Sequence, residues 1–117
     1  MSWDFGMYYD DVAKCKHYGQ TPQAPDCDMN YTFNVAQMFY HALPNKDGIR
    51  GYDGKKGEEA IDELCQGLQW FDDPANAATI ADLEPSNGWG DSSGAIRVLC
   101  TLIKWCRDHP KATLSIT

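Results

Sequence analysis

Residues Ser2 to Tyr9 alternate, with Trp3, Phe5, Met7 and Tyr9 on one side and Ser2, Asp4, Gly6 and Tyr8 on the other. A period of two puts one side of an extended segment on a core, so this stretch predicts a half-buried strand. From Asp10 to Asp28 no period is sustained and Pro22 and Pro25 interrupt the chain, which predicts a loop. Over Asn30 to Leu43, Val35, Met38, Phe39 and Ala42 fall on one face of a short helix. Asn34 and Gln37 fit a capping box at its start, and Pro44 ends it. Four glycines between Pro44 and Gly57 predict turns.

Ile61, Leu64, Cys65, Leu68 and Phe71 recur at helical spacing over about Glu58 to Phe71. Pro74 and Pro85 bracket a shorter helical piece, with Pro74 at an early position that a helix tolerates. Ala95, Val98, Leu99, Leu102, Ile103 and Cys106 then form a wide apolar stripe over Ala95 to Asp108, stopped at His109-Pro110. The β-prone tail from Ala112 to Thr117 would leave an open edge unless it pairs with the N-terminal strand. These elements predict an α+β fold in which three or four short helices pack on a small sheet formed by the N-terminal and C-terminal strands. A chain of 117 residues is the size of one domain, residues 1–117, and buries roughly two-thirds of its surface on folding.

Charge is distributed unevenly along the chain. From Gly57 to Asp91 there are nine carboxylates and no Lys or Arg, whereas beyond Ser92 Arg97, Lys104, Arg107 and Lys111 stand against Asp108 alone. The net charge of -7 disfavours direct nucleic-acid binding, which needs clustered cations to neutralise phosphates. No apolar run approaches the roughly 18 residues that span a bilayer, and the N-terminus is acidic and aromatic, so a cytoplasmic protein that does not engage a membrane is expected. The five cysteines, Cys15, Cys27, Cys65, Cys100 and Cys106, are odd in number and have no repeated short spacing, which argues against a disulfide framework.

Three groups of residues could carry chemistry. Glu58, Glu59, Asp62 and Glu63 begin the second helix as like-charged i,i+4 pairs, which disfavour it by a few tenths of a kcal/mol each. Such a face is either a solvated surface that attracts the basic C-terminal helix or a docking surface for a protein partner with a basic surface. Cys15, His17 and Cys27 could hold zinc, although Cys-x-His with a single later Cys lacks the paired short spacings of a zinc motif. A cysteine nucleophile beside His17, His41 or His109 would need a proximity that spacing does not show. The third group, Lys46, Arg50, Tyr52, Lys55 and Lys56 with Trp89, could hold a nucleotide-like ligand. Tyr31, Phe33, Phe39, Tyr40, Tyr52, Trp70 and Trp105 exceed what a small core hides in full, so some should surface in a binding patch.

The segment Asn87-Gly88-Trp89-Gly90-Asp91-Ser92-Ser93-Gly94 misses the dinucleotide-loop spacing and has no Lys to meet a phosphate. It reads as a turn in which Gly88 takes a positive φ, Asp91 or Ser92 caps the following helix, and Trp89 anchors the turn to the core. The other reading is a loop that presents Trp89 to a partner, since Trp is enriched at interface hot spots.

The Asn-Tyr-Thr-x-Asn-Val run at Asn30 to Val35, the Asn-Gly-Trp-Gly at Asn87 to Gly90 and the Cys-x-x-x-Pro-x-Ala end at Cys106 to Ala112 carry a resemblance. In register over about Asn30 to Thr117, the chain resembles a family of small, largely uncharacterised proteins common in bacteriophages and prophages. The resemblance implies a phage or mobile-element origin, hence the cytoplasm of a host cell, and brings no activity, cofactor or catalytic residue with it. The combined expectation is a non-enzymatic accessory protein without cofactor that docks through Glu58, Glu59, Asp62, Glu63 and Trp89, in use as an inhibitor of a host defence or nucleic-acid-binding complex. A small-molecule binder and a zinc-stabilised module or minor enzyme are the alternatives.

Overall fold

The computed structural model describes residues 1–9 and 23–117. In chain order it contains β1 (Ser2–Tyr8), β2 (Gln23–Thr32), α1 (Ala36–Ala42), α2 (Gly57–Asp72), α3 (Ala77–Leu83), α4 (Ser92–Asp108) and β3 (Thr113–Ile116). The strands form one antiparallel sheet in the order β2-β1-β3, so the N-terminal strand is central and the chain's last strand lies beside it. The α+β class and the pairing of the two chain ends are those that the sequence predicts.

Alternation along β1 does what its period requires. Trp3, Phe5 and Met7 are buried, while Ser2 and Asp4 face water. Phe5 pairs with Ile116 and Met7 with Leu114, so the buried side of the sheet continues into β3. Phe39 of α1, Leu64 of α2 and Leu99 and Leu102 of α4 complete the same core. Val35, Met38, Phe39 and Ala42 are all buried, as their helical spacing predicts. The α2 stripe is rotated slightly from the predicted one: Ala60, Leu64 and Phe71 are buried, and Ile61, Cys65 and Leu68 only partly.

The predicted loop from Asp10 to Asp28 is corrected at its end, where Gln23 to Asp28 belong to β2. Pairing with β1 supplies what local periodicity lacks: Ser2 to Gly6 register against Thr32 to Asp28, and after a bulge Tyr8 meets Gln23. Within that bulge Asp26 adopts a φ of 60°, and the Gln23 side-chain amide donates to the Cys27 carbonyl at 2.7 Å. Pro25 is tolerated because it sits in the bulge of an edge strand, where no ladder donor is required of it. The opposite edge is closed by the turn after α1. Gly54 N–H donates to Leu114 O at 2.8 Å, Leu114 N–H to Lys55 O at 2.8 Å, and Ile116 N–H to Asp53 Oδ1 at 2.8 Å. That cover removes the exposed edge that a lone C-terminal strand would present.

Candidate functional site: a tryptophan held by two distant motifs

The end of β2 and the turn before α4 lie together, although more than fifty residues separate them in sequence. Thr32 closes β2 and accepts a hydrogen bond from Asn34 N–H at 3.3 Å, starting a short 3-10 turn (Phe33–Val35) ahead of α1. Capping therefore falls to Thr32 and not to Asn34, whose side chain has another task. Its amide donates to the Trp89 carbonyl at 3.1 Å. On the other side of the same residue, Trp89 N–H donates to Asn87 Oδ1 at 3.0 Å. Both polar groups of the Trp89 backbone are thus held by asparagine side chains.

Gly88 and Gly90 flank Trp89 with φ of 78° and 86°, values that a residue with a Cβ adopts at a cost of roughly 1–2 kcal/mol. Gly90 is also pressed against the other motif, since a Cβ there would sit 2.5 Å from Thr32 Cγ2. Tyr31 Oη accepts from Asp91 N–H at 3.2 Å, and Arg97 of α4 lies over the Tyr31 ring with 6.0 Å to its centroid. Asp91 then caps α4, its carboxylate accepting from Gly94 N–H at 2.7 Å, as expected of a residue at that position.

This scaffold does not bury the indole. Trp89 is 70% exposed, so the expectation that it anchors the turn to the core is overturned. The positive φ values on both sides and the pull of Asn34 on the carbonyl fix a backbone path that aims the side chain into water. Beside it lies an open hollow of about 570 Å³, lined by Met1, Ser2, Asn30, Thr32, Asn34, Asn87 and Trp89. Among the described residues no charged side chain lines it. Its rim offers amides and hydroxyls, and its apolar surface is the indole and the Met1 side chain, which is also exposed.

The acidic quartet lies elsewhere. Glu58 pairs with Lys111, just beyond the C-terminal end of α4, at 2.9 Å. Trp89 precedes the N-terminal end of that helix, so the two features are separated by its length of about 25 Å at 1.5 Å per residue. Most of the block is also occupied. Glu59 accepts from Lys56 N–H at 2.8 Å, closing the first turn of α2, and Glu63 accepts from Tyr52 Oη at 2.9 Å. Asp73, Glu84 and Asp91 each accept a backbone N–H. Six of the nine carboxylates therefore work inside the fold, and Asp62, Asp72 and Asp82 are left to face solvent.

The basic-loop residues do not converge on Trp89. Tyr52 is fully buried, with its hydroxyl group pushed above the ordinary tyrosine range by burial and by its bond to Glu63, so its ring offers no face to a ligand. Arg50 lines a different hollow, and Lys55 and Lys56 run along the covered edge of β3. Lys46 is exposed. Of the zinc candidates, Cys15 and His17 lie outside the described residues. Cys27 is buried, and among the described residues no group of three or more His, Cys, Asp or Glu is placed to hold a metal ion.

Cys27 shares a third hollow with Asp26, Lys104, Trp105, Asp108 and His109. Burial, followed by the Asp26 charge, raises the Cys27 thiol, and burial pushes Cys106 up to about 12. Both are therefore held as neutral thiols and behave as small apolar groups. His109 Nδ1 is engaged by Tyr9 Oη at 2.5 Å. Cys27, Cys65, Cys100 and Cys106 are all unbridged.

Among the described residues no helix is long and apolar enough to cross a membrane. No family model, curated protein or solved structure matches the chain.

Proposed function

We propose that this chain is a phage-type accessory protein that docks on another protein and uses Trp89 as its anchor. The observation that carries the reading is the combination of 70% exposure with a backbone fixed at both its N–H and its C=O. An exposed indole on a mobile loop loses backbone as well as side-chain entropy when it binds, whereas a backbone already held in place removes the first cost, and that pre-organisation adds to affinity. Asn, Ser and Thr around a Trp form the adaptable polar rim that protein-recognition surfaces use around a rigid aromatic.

The net charge of -7 selects partners with a basic surface. Because the acidic quartet sits at the opposite end of α4 from Trp89, its charge acts at long range and steers encounter, while the indole holds the complex. Inhibition of a host defence or nucleic-acid-binding complex would fit a protein of this charge, since such complexes carry basic surfaces.

The test compares capture from host-cell lysate by the wild-type chain, by Trp89→Ala and by a triple variant with Asp62, Asp72 and Asp82 changed to Lys. These three aspartates are chosen because reversing Glu59 or Glu63 would also damage the fold. A partner retained by wild type, lost with Trp89→Ala and bound more slowly by the triple variant supports the reading. Equal retention by Trp89→Ala contradicts it, as does failure of the wild-type chain to retain any protein.

A further inference from the structure

A mainly apolar hollow lies beneath Tyr40, apart from the Trp89 surface. Its volume is about 230 Å³, and it is lined by Trp3, Phe33, Ala36, Tyr40, Ile49 and two charged residues, Asp47 and Arg50. Its walls are already in place. Trp3 is buried and lies 4.9 Å from the Phe33 ring and 5.7 Å from the Phe39 ring, centroid to centroid. The Tyr40 ring rests against Gly48, within 3.2 Å of where a Cβ would be. Preformed apolar walls with a few convergent polar groups are the usual form of a small-ligand site.

The two charges are the informative part. Asp47 and Arg50 are three residues apart on the 3-10 turn Gly48–Tyr52 and its flank, and both line the hollow, yet neither is in an ion pair with the other. Asp47 precedes that turn at the position where an acidic side chain commonly caps, but its carboxylate accepts no capping bond. Its backbone N–H is the donor instead, to Asn45 Oδ1 at 2.9 Å. Among the described residues, one carboxylate and one guanidinium therefore stand without an ion-pair partner at the rim of an apolar recess.

We propose that this hollow binds a free L-amino acid with a branched aliphatic or single-ring side chain. Arg50 takes the α-carboxylate, for which its fork of donors is suited. Asp47 takes the α-ammonium. The side chain enters between Trp3, Phe33, Tyr40 and Ile49, in a volume suited to one such group. A zwitterion satisfies both charges at once, whereas a chain terminus carries only one of them. The site is independent of Trp89, which lines a different hollow.

Calorimetric and thermal-shift titrations of the whole protein with L-phenylalanine and L-leucine test this directly. The expected result is saturable binding with Kd below about 1 mM. 3-Phenylpropionate, which lacks the ammonium, and 2-phenylethylamine, which lacks the carboxylate, should each bind at least about tenfold more weakly, as should L-phenylalanine to Arg50→Gln and Asp47→Asn. Both substituted residues are exposed, so the unliganded variants should melt within about 2 °C of wild type. Trp89→Ala should bind the amino acid as wild type does. The proposal is overturned if neither amino acid binds below about 1 mM, if either analogue binds as well as phenylalanine, or if Arg50→Gln or Asp47→Asn binds undiminished.

Discussion

Gly88 and Gly90 offer a paired measurement of how the two motifs hold Trp89. Both have a φ near +80°, so alanine at either position carries the left-handed penalty of roughly 1–2 kcal/mol. Their surroundings differ. A Cβ at Gly88 meets nothing within 4 Å, whereas one at Gly90 would lie 2.5 Å from Thr32 Cγ2 and 3.4 Å from both Tyr31 Oη and Val35 Cγ1. Gly90→Ala therefore adds an overpacking cost of roughly 1–3 kcal/mol that Gly88→Ala lacks. At 117 residues, about 1 kcal/mol corresponds to about 4 °C in Tm. Gly88→Ala should lower Tm by about 4–8 °C, and Gly90→Ala by a further 4–12 °C. The clashing atom is the Thr32 methyl group, and Thr32→Ser removes it while keeping the hydroxyl that accepts from Asn34 N–H. Adding Thr32→Ser to Gly90→Ala should thus return stability to about the level of Gly88→Ala, a coupling that two independent sites would not show. Urea titrations and thermal melts of Gly88→Ala, Gly90→Ala, Thr32→Ser alone, Thr32→Ser with Gly90→Ala, and wild type supply the cycle. If Gly90→Ala is no worse than Gly88→Ala, or if Thr32→Ser gives no relief, the packing of the Trp89 turn against the end of β2 is wrong.

The remaining predictions concern the residues that support this site and the core. Tyr52→Phe should cost about 1–2 kcal/mol by chemical denaturation, because it deletes the donor that Glu63 accepts in a partly buried place. Glu59→Ala should cost about 1 kcal/mol by breaking the bond to Lys56 N–H, while Asp62→Ala should stay within about 0.5 kcal/mol. Stability should also fall in alkali. Burial favours the neutral Cys106 thiol, which ordinarily ionises near 9.0 and in the folded chain near about 12, so the unfolded chain releases that proton first. This contribution is intact below about pH 9 and declines toward pH 12, by at most about 1.4 kcal/mol per pH unit for the group. Urea midpoints measured across that range should show the decline, and Cys106→Ala should flatten it.

How much of this was legible depends on whether the cause is local. The β1 alternation, the α4 stripe and the Asp91 cap follow from neighbours within a turn or two, and the structure bears them out. The first half of β2 was not legible, because Pro25 and the left-handed Asp26 break any alternation and only pairing with β1 reveals the strand. The acidic quartet looked like one surface because charge can be counted in sequence, while its tasks cannot. Glu63 meets Tyr52 through a turn, and Glu58 meets a lysine fifty-three residues away. The Trp89 turn was readable as a turn, but the direction of its side chain was not. That direction is set by Asn34, which sequence assigned to a helix cap. The signal that could have found it is the presence of asparagines in both motifs, Asn34 in one and Asn87 in the other, together with an aromatic that no apolar stripe claims.

The role proposed for Trp89 is that of an anchor held ready for a protein partner. Its most direct test is the affinity of a purified captured partner for wild type and for Trp89→Ala, measured after near-ultraviolet circular dichroism and Tm have shown the variant to be folded. Truncating a hot-spot tryptophan should weaken binding by about thirtyfold or more, with Tm changed by less than about 2 °C. An affinity within about twofold of wild type would contradict the account.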